Sequence, residues 1–256
     1  MINWLDPACV NFPPVHRALR EPNGLLAAGG ALTTEWLLAA YSDGIFPWFS
    51  EGDPILWWSP DPRTVFNPKA IKIRRSLRQS LRNRGYTFKA DHAFHDVIKA
   101  CAEPRKDQGE TWIVAPMQAA YCNLHEEGYA HSIECWQEGR LVGGLYGVAI
   151  GSLFFGESMF SHERDASKGA LIFLAHLANQ VNGPLIDCQM PNPHLDSLGA
   201  MNIPRQEFVQ TIKQHLRSPQ PFPIGSWQHD IEPVTGDELL TLYQAQTNNN
   251  SDSTPS

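Results

Sequence analysis

Residues 143–161 read GGLYGVAIGSLFFGESMFS, and residues 162–189 continue as HERDASKGALIFLAHLANQVNGPLIDCQ. The first segment predicts two apolar strands joined by a turn at Ile150-Gly151, and the second predicts an apolar helix followed by a strand. Glu157 and Asp187 place carboxylates among Phe, Met and Leu. A carboxylate is costly to bury without a partner, so one kept in such surroundings usually holds a ligand or tunes a proton. This stretch therefore predicts a sheet-and-helix fold with a functional site.

The segments around this stretch extend the pattern. RTVFNP and YTFKAD predict strands, and HSIECWQ adds a third strand to the meander through a turn at Glu138-Gly139. Helices are predicted for IRRSLRQSLRNRG, for HAFHDVIKACAE capped by Asp91, for MQAAYCNLHEEG opened by Pro116, for SKGALIFLAHLANQ capped by Ser167, and for RQEFVQTIKQHL. Three antiparallel strands flanked by helices, then another strand and helix, predict an α+β fold with a mixed sheet flanked by helices. That order is the one found in the acetyltransferase-type (GNAT-like) fold.

The ends of the chain differ from its middle in composition. Residues 1–62 are dense in Pro, Gly and Trp, which predicts a small irregular N-terminal domain. It contains one helix, TTEWLLAAYSDG, with Thr33 or Thr34 as its N-cap and Gly44 as its stop. Residues 63–232 form the predicted GNAT-like domain. Residues 233–256 are predicted to be a partly disordered C-terminal extension, with a helix pattern in DELLTLYQAQ and then NNNSDSTPS.

Several classes of protein are disfavoured by composition. The chain has no run of about 18 apolar residues and no N-terminal signal pattern, so we expect a cytoplasmic protein that does not enter membranes. Its five cysteines are odd in number and never spaced CxxC, which argues against a disulfide framework or a zinc site. His92 and His95 lack a nearby third ligand, and Ser158 and Ser161 lack a GxSxG elbow. We therefore expect no metal and no serine hydrolase.

Charge is segregated along the chain. The net charge is −7, yet 8 of the 20 basic residues fall in one acid-free segment: Lys69, Lys72, Arg74, Arg75, Arg78, Arg82, Arg84 and Lys89. Either this is a solvated helix face or it contacts phosphate groups. The second reading is favoured because a helix built for solubility usually mixes both signs of charge.

Four strings carry a resemblance: REPNGLLAAGG, YSDGIFPWFSEGDPILWWSPDPR, GESMFS and LIDCQ. Together they resemble the bacterial leucyl/phenylalanyl-tRNA–protein transferase family, in order, from about Arg20 to about Arg205. The resemblance implies an enzyme that moves Leu, Phe or Met from aminoacyl-tRNA onto proteins beginning with Arg or Lys and so marks them for degradation. It also implies ester aminolysis without ATP, metal, coenzyme A or any other cofactor, by a monomer.

The resemblance also implies site residues. Asp187 and Gln189 are implied at the reacting centre, and the aminoacyl and acceptor sites take Trp48, Trp112, Leu145, Phe154, Glu157, Met159 and Leu174. Leu145 stands where relatives carry Met, and Leu174 stands where an aromatic is expected, so the pocket shape and its preference between Leu and Phe are open. The tRNA site is predicted separately, from the segregated charge of the basic helix, at Arg74, Arg75, Arg78, Arg82 and Arg84.

Strand geometry and ordinary pKa values refine these roles. Asp187 and Gln189 are two apart, so on a strand they share a face, as do Phe155, Glu157 and Met159. An aspartate with an ordinary pKa of about 3.9 is a poor base at pH 7, so we expect Asp187 to orient Gln189 and stabilise developing ammonium charge.

Other roles stay open at this point. Glu157 is expected to hold the donor's α-ammonium or the acceptor's Arg or Lys, or else to form an internal salt bridge with Arg164 or Lys168. His194 is a secondary site candidate because it closely follows the Asp187 strand.

Two other functions compete with this reading. One is an acyltransferase that uses coenzyme A, which needs a phosphate-cradling loop. The nearest string, residues 140–145, starts that pattern and then breaks it inside a predicted strand. The other is a non-catalytic binder of tRNA or stem-loops, which needs the basic helix but neither Asp187 nor Gln189.

Overall fold

The computed structural model describes residues 2–104 and 113–248, which fold around two β-sheets. The smaller sheet has the strand order β1-β2-β4-β3 and consists of β1 (Asn3–Leu5), β2 (Leu25–Gly29), β3 (Phe46–Pro47) and β4 (Leu56–Trp58). The larger sheet has the order β11-β5-β10-β9-β8-β7-β6-β12 and consists of β5 (Arg63–Phe66), β6 (Thr87–Ala90), β7 (Ala130–Gln137), β8 (Arg140–Ile150), β9 (Leu153–Ser161), β10 (Ile186–Asp187), β11 (Met201–Ile203) and β12 (Val234–Thr235).

Helices cover both faces of the larger sheet. They are α1 (Thr34–Ser42), α2 (Arg75–Asn83), α3 (Phe94–Ala102), α4 (Ala115–Glu126), α5 (Ala166–Gln180), α6 (Pro193–Leu198), α7 (Arg205–His215) and α8 (Gly236–Asn248). One apolar cluster packs α2, α5 and α8 against the sheet, and the other packs α1, α3, α4 and α7 against its opposite face. The predicted α+β class with a mixed sheet and flanking helices is confirmed. None of the described helices is both long and apolar enough to cross a membrane.

The meander at the centre of the sheet follows from its turns. Glu138 and Gly139 both have positive φ, 50° and 75°, which suits the tight turn between β7 and β8. Gly143 in β8 has no room for a side chain, because a Cβ there would lie 2.5 Å from the Cβ of Ala166 at the start of α5. Gly143 therefore lets α5 pack closely on the sheet, and residues 140–145 lie within strand β8.

The N-terminal 62 residues are more regular than predicted. The expectation of an irregular domain is wrong, because residues 3–58 supply the whole four-stranded sheet. Its strands are two to five residues long and gain their regularity from pairing with each other, a long-range effect that composition does not record. The predicted helix is present as α1, with the Thr33 hydroxyl accepting a hydrogen bond from the Trp36 N–H.

Two predicted helix caps are wrong. Asp91 does not cap α3, which begins after Ala93; its carboxylate is turned inward and accepts from His131 Nδ1 and from the backbone of Ser132 and Trp227. Ser167 lies inside α5, whose N-cap is Asp165 in the left-handed conformation. In both cases a tertiary contact or a tight turn takes precedence over the local capping preference.

The chain after residue 232 is integrated into the fold. The predicted helix DELLTLYQAQ is present within α8, and β12 pairs with β6 at the edge of the larger sheet. Leu239, Leu240 and Tyr243 of α8 are buried against α5 and α2. The predicted disordered tail, NNNSDSTPS, lies mostly outside the described residues.

Candidate active site

The larger sheet splits between β9 and β10. The two strands are parallel neighbours only at Ile186 and Asp187, which pair with Phe154 and Phe155. The N–H of Cys188 then donates to the carbonyl of Thr64, so the chain follows β5 and leaves β9. The predicted strand PLIDCQ is therefore much shorter than expected. A cavity of about 720 Å³ lies at this split, and we call it the split-sheet cavity.

The split-sheet cavity has walls from both faces of the sheet. Leu145 and Leu174 belong to the apolar cluster on the α5 face, whereas Tyr146 belongs to the cluster on the α3 face, and all three line the cavity. Phe46, Trp48 and Ser50 bring in the loop around β3 of the smaller sheet. The cavity thus has an apolar half and a more polar half that contains Glu157.

Asp187 is fully buried in an ion pair with Arg63. The Arg63 Nε donates to one carboxylate oxygen at 2.8 Å and Nη2 donates to the other at 2.6 Å. The guanidinium lies between the rings of Phe46 and Phe208, 4.7 and 4.6 Å from their centroids, and donates to the carbonyl of Gly44. A bidentate pair in such surroundings fixes the carboxylate in one orientation.

Gln189 is held by both carboxylates of the site. Its backbone N–H donates to Asp187 Oδ1 at 3.0 Å, and its side-chain Nε2 donates to Glu157 Oε1 at 2.7 Å. The prediction that Asp187 and Gln189 share a strand face is wrong, because β10 ends at Asp187 and Gln189 has a φ of 65°. The tight turn at residues 188–189 brings the two side chains to the same site by another route.

Glu157 is the centre of a buried hydrogen-bond network. Besides Gln189, the hydroxyls of Tyr41 and Tyr121 donate to its carboxylate at 2.7 and 2.9 Å. Desolvation by burial raises the pKa of Glu157 to about 7, and the charge of Asp187 adds to this, while the two tyrosine hydrogen bonds and Arg63 oppose it. The alternative of a salt bridge to Arg164 or Lys168 is wrong: both of those side chains pair with Asp165.

The apolar residues of the predicted pocket are mostly brought together. Trp48, Leu145, Met159 and Leu174 all line the split-sheet cavity. Met159 and Glu157 do not share a strand face as predicted, because a bulge opposite Tyr146 and Gly147 shifts the register of β9 and places Met159 with the α5-face cluster.

Of the other predicted pocket residues, one lies in the core and one lies outside the described residues. Phe154 does not line the cavity; it is fully buried with its ring near those of Phe222 and Trp227. The prediction that Phe154 forms a pocket wall is corrected accordingly, because its strand position directs it into the core. Trp112 lies outside the described residues.

The chain matches one protein family along most of its length. Residues 65–213 match the family model described as leucyl/phenylalanyl-tRNA protein transferase, and residues 30–61 match the model of that family's N-terminal domain. A leucyl/phenylalanyl-tRNA–protein transferase from Azoarcus sp. is 61% identical over 216 residues, covering 84% of this chain and 91% of that protein. One from Chromobacterium violaceum is 57% identical over 221 residues, covering 86% of this chain and 94% of that protein.

The chain belongs to the leucyl/phenylalanyl-tRNA–protein transferase family. It is therefore an aminoacyltransferase. Among solved structures, L-PGS from Bacillus licheniformis matches with a TM-score of 0.35 and 13% identity, over 62% of this chain and 51% of that one. A likeness of that size carries no argument about this transferase.

The basic helix of this transferase is partly neutralised by the fold. Arg82 pairs with Asp237 of α8 at 3.0 Å, and Arg84 pairs with Glu163 at 3.4 Å. The sequence near α2 contains no acidic residues, but Asp237 and Glu163 from distant segments neutralise Arg82 and Arg84. Arg74 and Arg75 are exposed, and within the described part of the chain they form no ion pair, nor does the half-buried Arg78. They are the cations of α2 whose charge is least compensated.

Features near the split-sheet cavity complete the site. His194 lines both this cavity and a second one of about 560 Å³, which also contains Arg164 and Lys168. No group of three or more His, Cys, Asp or Glu side chains in residues 2–104 and 113–248 is arranged to hold a metal ion.

Sequence reasoning missed four residues of this candidate site: Arg63, Tyr41, Tyr121 and Tyr146. Their side chains reach the site from segments far apart in the chain: the Arg63–Asp187 contact spans 124 residues and the Tyr41–Glu157 contact spans 116. One signal was available, since a buried carboxylate such as Asp187 needs a buried cation and Arg63 ends one of the strings that carry the family resemblance.

Proposed function

We propose that this protein transfers leucine or phenylalanine, with methionine as a third donor, from aminoacyl-tRNA to the N-terminal α-amine of proteins beginning with Arg or Lys. The observation that supports this most directly is the split-sheet cavity, because one cavity joins an apolar compartment to the Glu157–Gln189–Asp187 network. Leu145, Met159 and Leu174 suit an unbranched or γ-branched apolar side chain, since Leu and Met side chains adapt to several shapes.

The ester of an aminoacyl-tRNA is already activated, so the reaction needs no energy source. It needs groups that position the attacking amine and accept its hydrogen bonds. The acceptor amine attacks the ester carbonyl of the aminoacyl-tRNA, a C–N bond forms, the C–O bond to the ribose breaks, and the released ribose oxygen takes up a proton as the amine loses one. Because Nε2 of Gln189 is held by Glu157, the side-chain oxygen of Gln189 is the part left to accept an N–H from the attacking amine. This supports Gln189 as the residue nearest to the chemistry.

Asp187 is proposed to act as a positioning group. Its two oxygens are engaged by Arg63 and by the backbone N–H of Gln189. These contacts hold the carboxylate in one orientation beside Gln189. Its fixed negative charge still stabilises the ammonium that develops as the amine attacks.

Glu157 is proposed to bind one of the two amino groups, that of the donor or the basic side chain of the acceptor. With a pKa of about 7, it changes charge within the physiological range, so binding a cation stabilises its ionised form. The exposed Arg74 and Arg75, with Arg78, are proposed to contact tRNA phosphates, and Arg82 and Arg84 to contribute less because each is paired.

Several properties of the whole protein are also proposals. We propose a GNAT-like arrangement of residues 63–232, which the three-stranded meander followed by α5, β10 and α7 supports. A boundary near residue 62 is supported by the change of sheet between β4 and β5, and residues 233–248 pack against residues 63–232. We further propose a cytoplasmic monomer that uses no cofactor.

The test of the proposed function is transfer of labelled leucine from leucyl-tRNA to two peptides that differ only in their first residue, Lys or Ala. We expect labelled product with the Lys peptide alone, and Gln189→Ala to lower the single-turnover rate. Acetyl-coenzyme A in place of leucyl-tRNA should yield no product. Binding of leucyl-tRNA without transfer would instead support a tRNA-binding protein and overturn the proposal.

A further inference from the structure

One polar group in the split-sheet cavity is not used by the network described above. The hydroxyl of Tyr146 is fully buried, and among residues 2–104 and 113–248 it has no hydrogen-bond partner. Tyr146 lines the cavity together with Glu157. A buried hydroxyl without a partner loses about 1–3 kcal/mol of hydrogen-bond free energy, so a Phe at this position would cost less if packing were its only role.

Within the described residues, Tyr146 differs from the two tyrosines beside it in lacking a hydrogen-bond partner for its hydroxyl. Its ring packs edge-on against Tyr121 and Phe94, with centroids 5.5 and 6.0 Å apart. Tyr121 and Tyr41 both donate their hydroxyls to Glu157, so the other two tyrosines of this cluster are satisfied. Burial and the charge of Glu157 raise the pKa of Tyr146 well above its ordinary value. Tyr146 is therefore a neutral hydroxyl that can accept a hydrogen bond beside a carboxylate.

We propose that Tyr146 binds the α-amino group of the donor aminoacyl ester, an inference that rests on the proposed function. Leu145 and Tyr146 are consecutive in β8 and project to opposite faces of the sheet, yet both line the cavity, which opens at the split between the neighbouring β9 and β10. An aminoacyl group whose apolar side chain lies against Leu145 has its α-carbon near the split. Its α-amine, one bond away, is then directed toward Tyr146 and Glu157.

The charges at this position favour an amine over other substrate groups. A protonated or neutral amine donates N–H bonds, and both the Tyr146 oxygen and the nearby Glu157 carboxylate accept them. A ribose hydroxyl offers a single O–H donor and no positive charge, and an ester carbonyl offers no donor, so neither matches two neighbouring acceptors as an amine does. The contact would select a donor with a free α-amine over one that is blocked or lacks it.

The experiment uses two adenosine analogues in which the 3′-hydroxyl is replaced by an amide link that does not react. One carries phenylalanine and the other 3-phenylpropionic acid, so they differ only in the α-amino group. Their dissociation constants are measured by calorimetry for the full chain, for Tyr146→Phe and for Tyr243→Phe. Tyr243 is a matched control because it is a buried tyrosine whose hydroxyl donates to the Pro68 carbonyl, away from the cavity.

We expect the wild type to bind the amino analogue about tenfold more tightly than the analogue without the amine. Tyr146→Phe should lose most of that preference while binding the second analogue as the wild type does, and Tyr243→Phe should keep the preference. Retention of the full preference by Tyr146→Phe, or equal weakening of both analogues, would overturn the inference.

Two further measurements distinguish a failure of this inference from a failure of the proposed function. A wild type with no preference for the amino analogue also overturns the inference, and this holds even if Tyr146→Phe does not fold. Transfer of phenylalanine from phenylalanyl-tRNA to a Lys-started peptide is measured with the wild type in parallel. Absence of that transfer counts against the proposed function, whereas transfer with an unchanged preference in Tyr146→Phe counts only against the role of Tyr146.

Discussion

At the scale of single residues, Glu157 depends on side chains from three other segments of the chain. Tyr41 comes from α1, Tyr121 from α4 and Gln189 from the turn after β10, while Glu157 itself lies at the bulge of β9. Burial alone would strongly disfavour the carboxylate, and the three donors offset part of that cost. The outcome is an acid with a pKa near neutrality that lines the split-sheet cavity.

The raised pKa of Glu157 predicts a pH dependence of stability. In the folded protein Glu157 keeps its proton up to about pH 7, whereas in the unfolded chain it loses it near its ordinary value of 4.5. The free energy of unfolding should therefore fall as pH rises from about 4.5 to about 7, by up to about 3 kcal/mol from this group, and change no further above that range. Urea unfolding of the wild type and Glu157→Gln across pH 4.5–8 measures it; parallel curves for the two proteins would contradict the assignment.

The buried pair of Arg63 and Asp187 predicts an asymmetry between removing one charge and removing both. Asp187→Asn leaves Arg63 charged in the core and should lower the free energy of unfolding by about 3–5 kcal/mol. The double variant Arg63→Met/Asp187→Leu removes both charges and should recover most of that stability, although not the transfer rate. Denaturant titrations of the three proteins make the comparison, and an Asp187→Asn protein as stable as the wild type would contradict it.

At the scale of elements, local sequence patterns predicted the long helices, the meander, β5 and β6, but not the strands of the smaller sheet or β11. The apolar periodicity and turn residues around α5, α7 and β7–β9 are local and strong, and the structure confirms these elements. The strands of the smaller sheet and β11 contain two to five residues, too few to show a period, and they exist through partners distant in the chain.

The same distinction applies to the site. Glu157, Asp187 and Gln189 stand out in the sequence because polar groups among apolar residues are unusual. Tyr41, Tyr121 and Tyr146 do not, because a tyrosine in an apolar segment is ordinary core until its hydroxyl is located. The register of β9 also escapes prediction, since the bulge depends on the pairing with β8 and not on β9 alone.

Helix α2 predicts a salt-dependent contact with tRNA. Arg75→Glu should weaken binding of aminoacyl-tRNA and lower the slope of log affinity against log salt concentration by about 0.7–0.9, the value for one phosphate contact. Binding of a short aminoacyl-adenosine analogue should be unchanged, because α2 does not line the split-sheet cavity. Lys213→Glu, an exposed charge change on α7 at the opposite face of the sheet, is the control. Equal weakening by both variants would show a general charge effect instead.

At the scale of the whole molecule, one buried cluster holds residues 222–227, which follow α7, against the larger sheet. Asp91 accepts the backbone N–H of Trp227 at 2.8 Å, and the ring of His131 stacks on Trp227 with centroids 3.7 Å apart. Phe222 stacks on the same indole at 5.1 Å. The cluster holds residues 222–227 against β7 and β9, well separated in the chain from the site residues.

Trp227 therefore predicts a loss of stability without a loss of catalysis. Trp227→Ala should lower the free energy of unfolding by about 3–5 kcal/mol, because a fully buried indole is replaced by a cavity. Trp4→Ala is the matched control: Trp4 is 73% exposed, so its removal should change stability by less than about 0.5 kcal/mol. Both variants should keep the wild-type transfer rate at temperatures where they are folded. A rate loss in folded Trp227→Ala would show that this cluster reaches the site.

The guanidinium of Arg63, held between Phe46 and Phe208 and bonded to the Gly44 carbonyl, has an evolutionary consequence. The smaller sheet and its helix supply Phe46, Gly44 and Tyr41 to the centre of the larger one, so neither part carries a whole set of contacts. A recombination event that joined residues 63–248 to a foreign N-terminal segment would remove the Phe46 and Gly44 contacts of Arg63 together with the Tyr41 hydrogen bond to Oε1 of Glu157. We therefore expect the two sheets to be inherited together, and substrate preference to change more readily by point substitution than by exchange of the N-terminal segment.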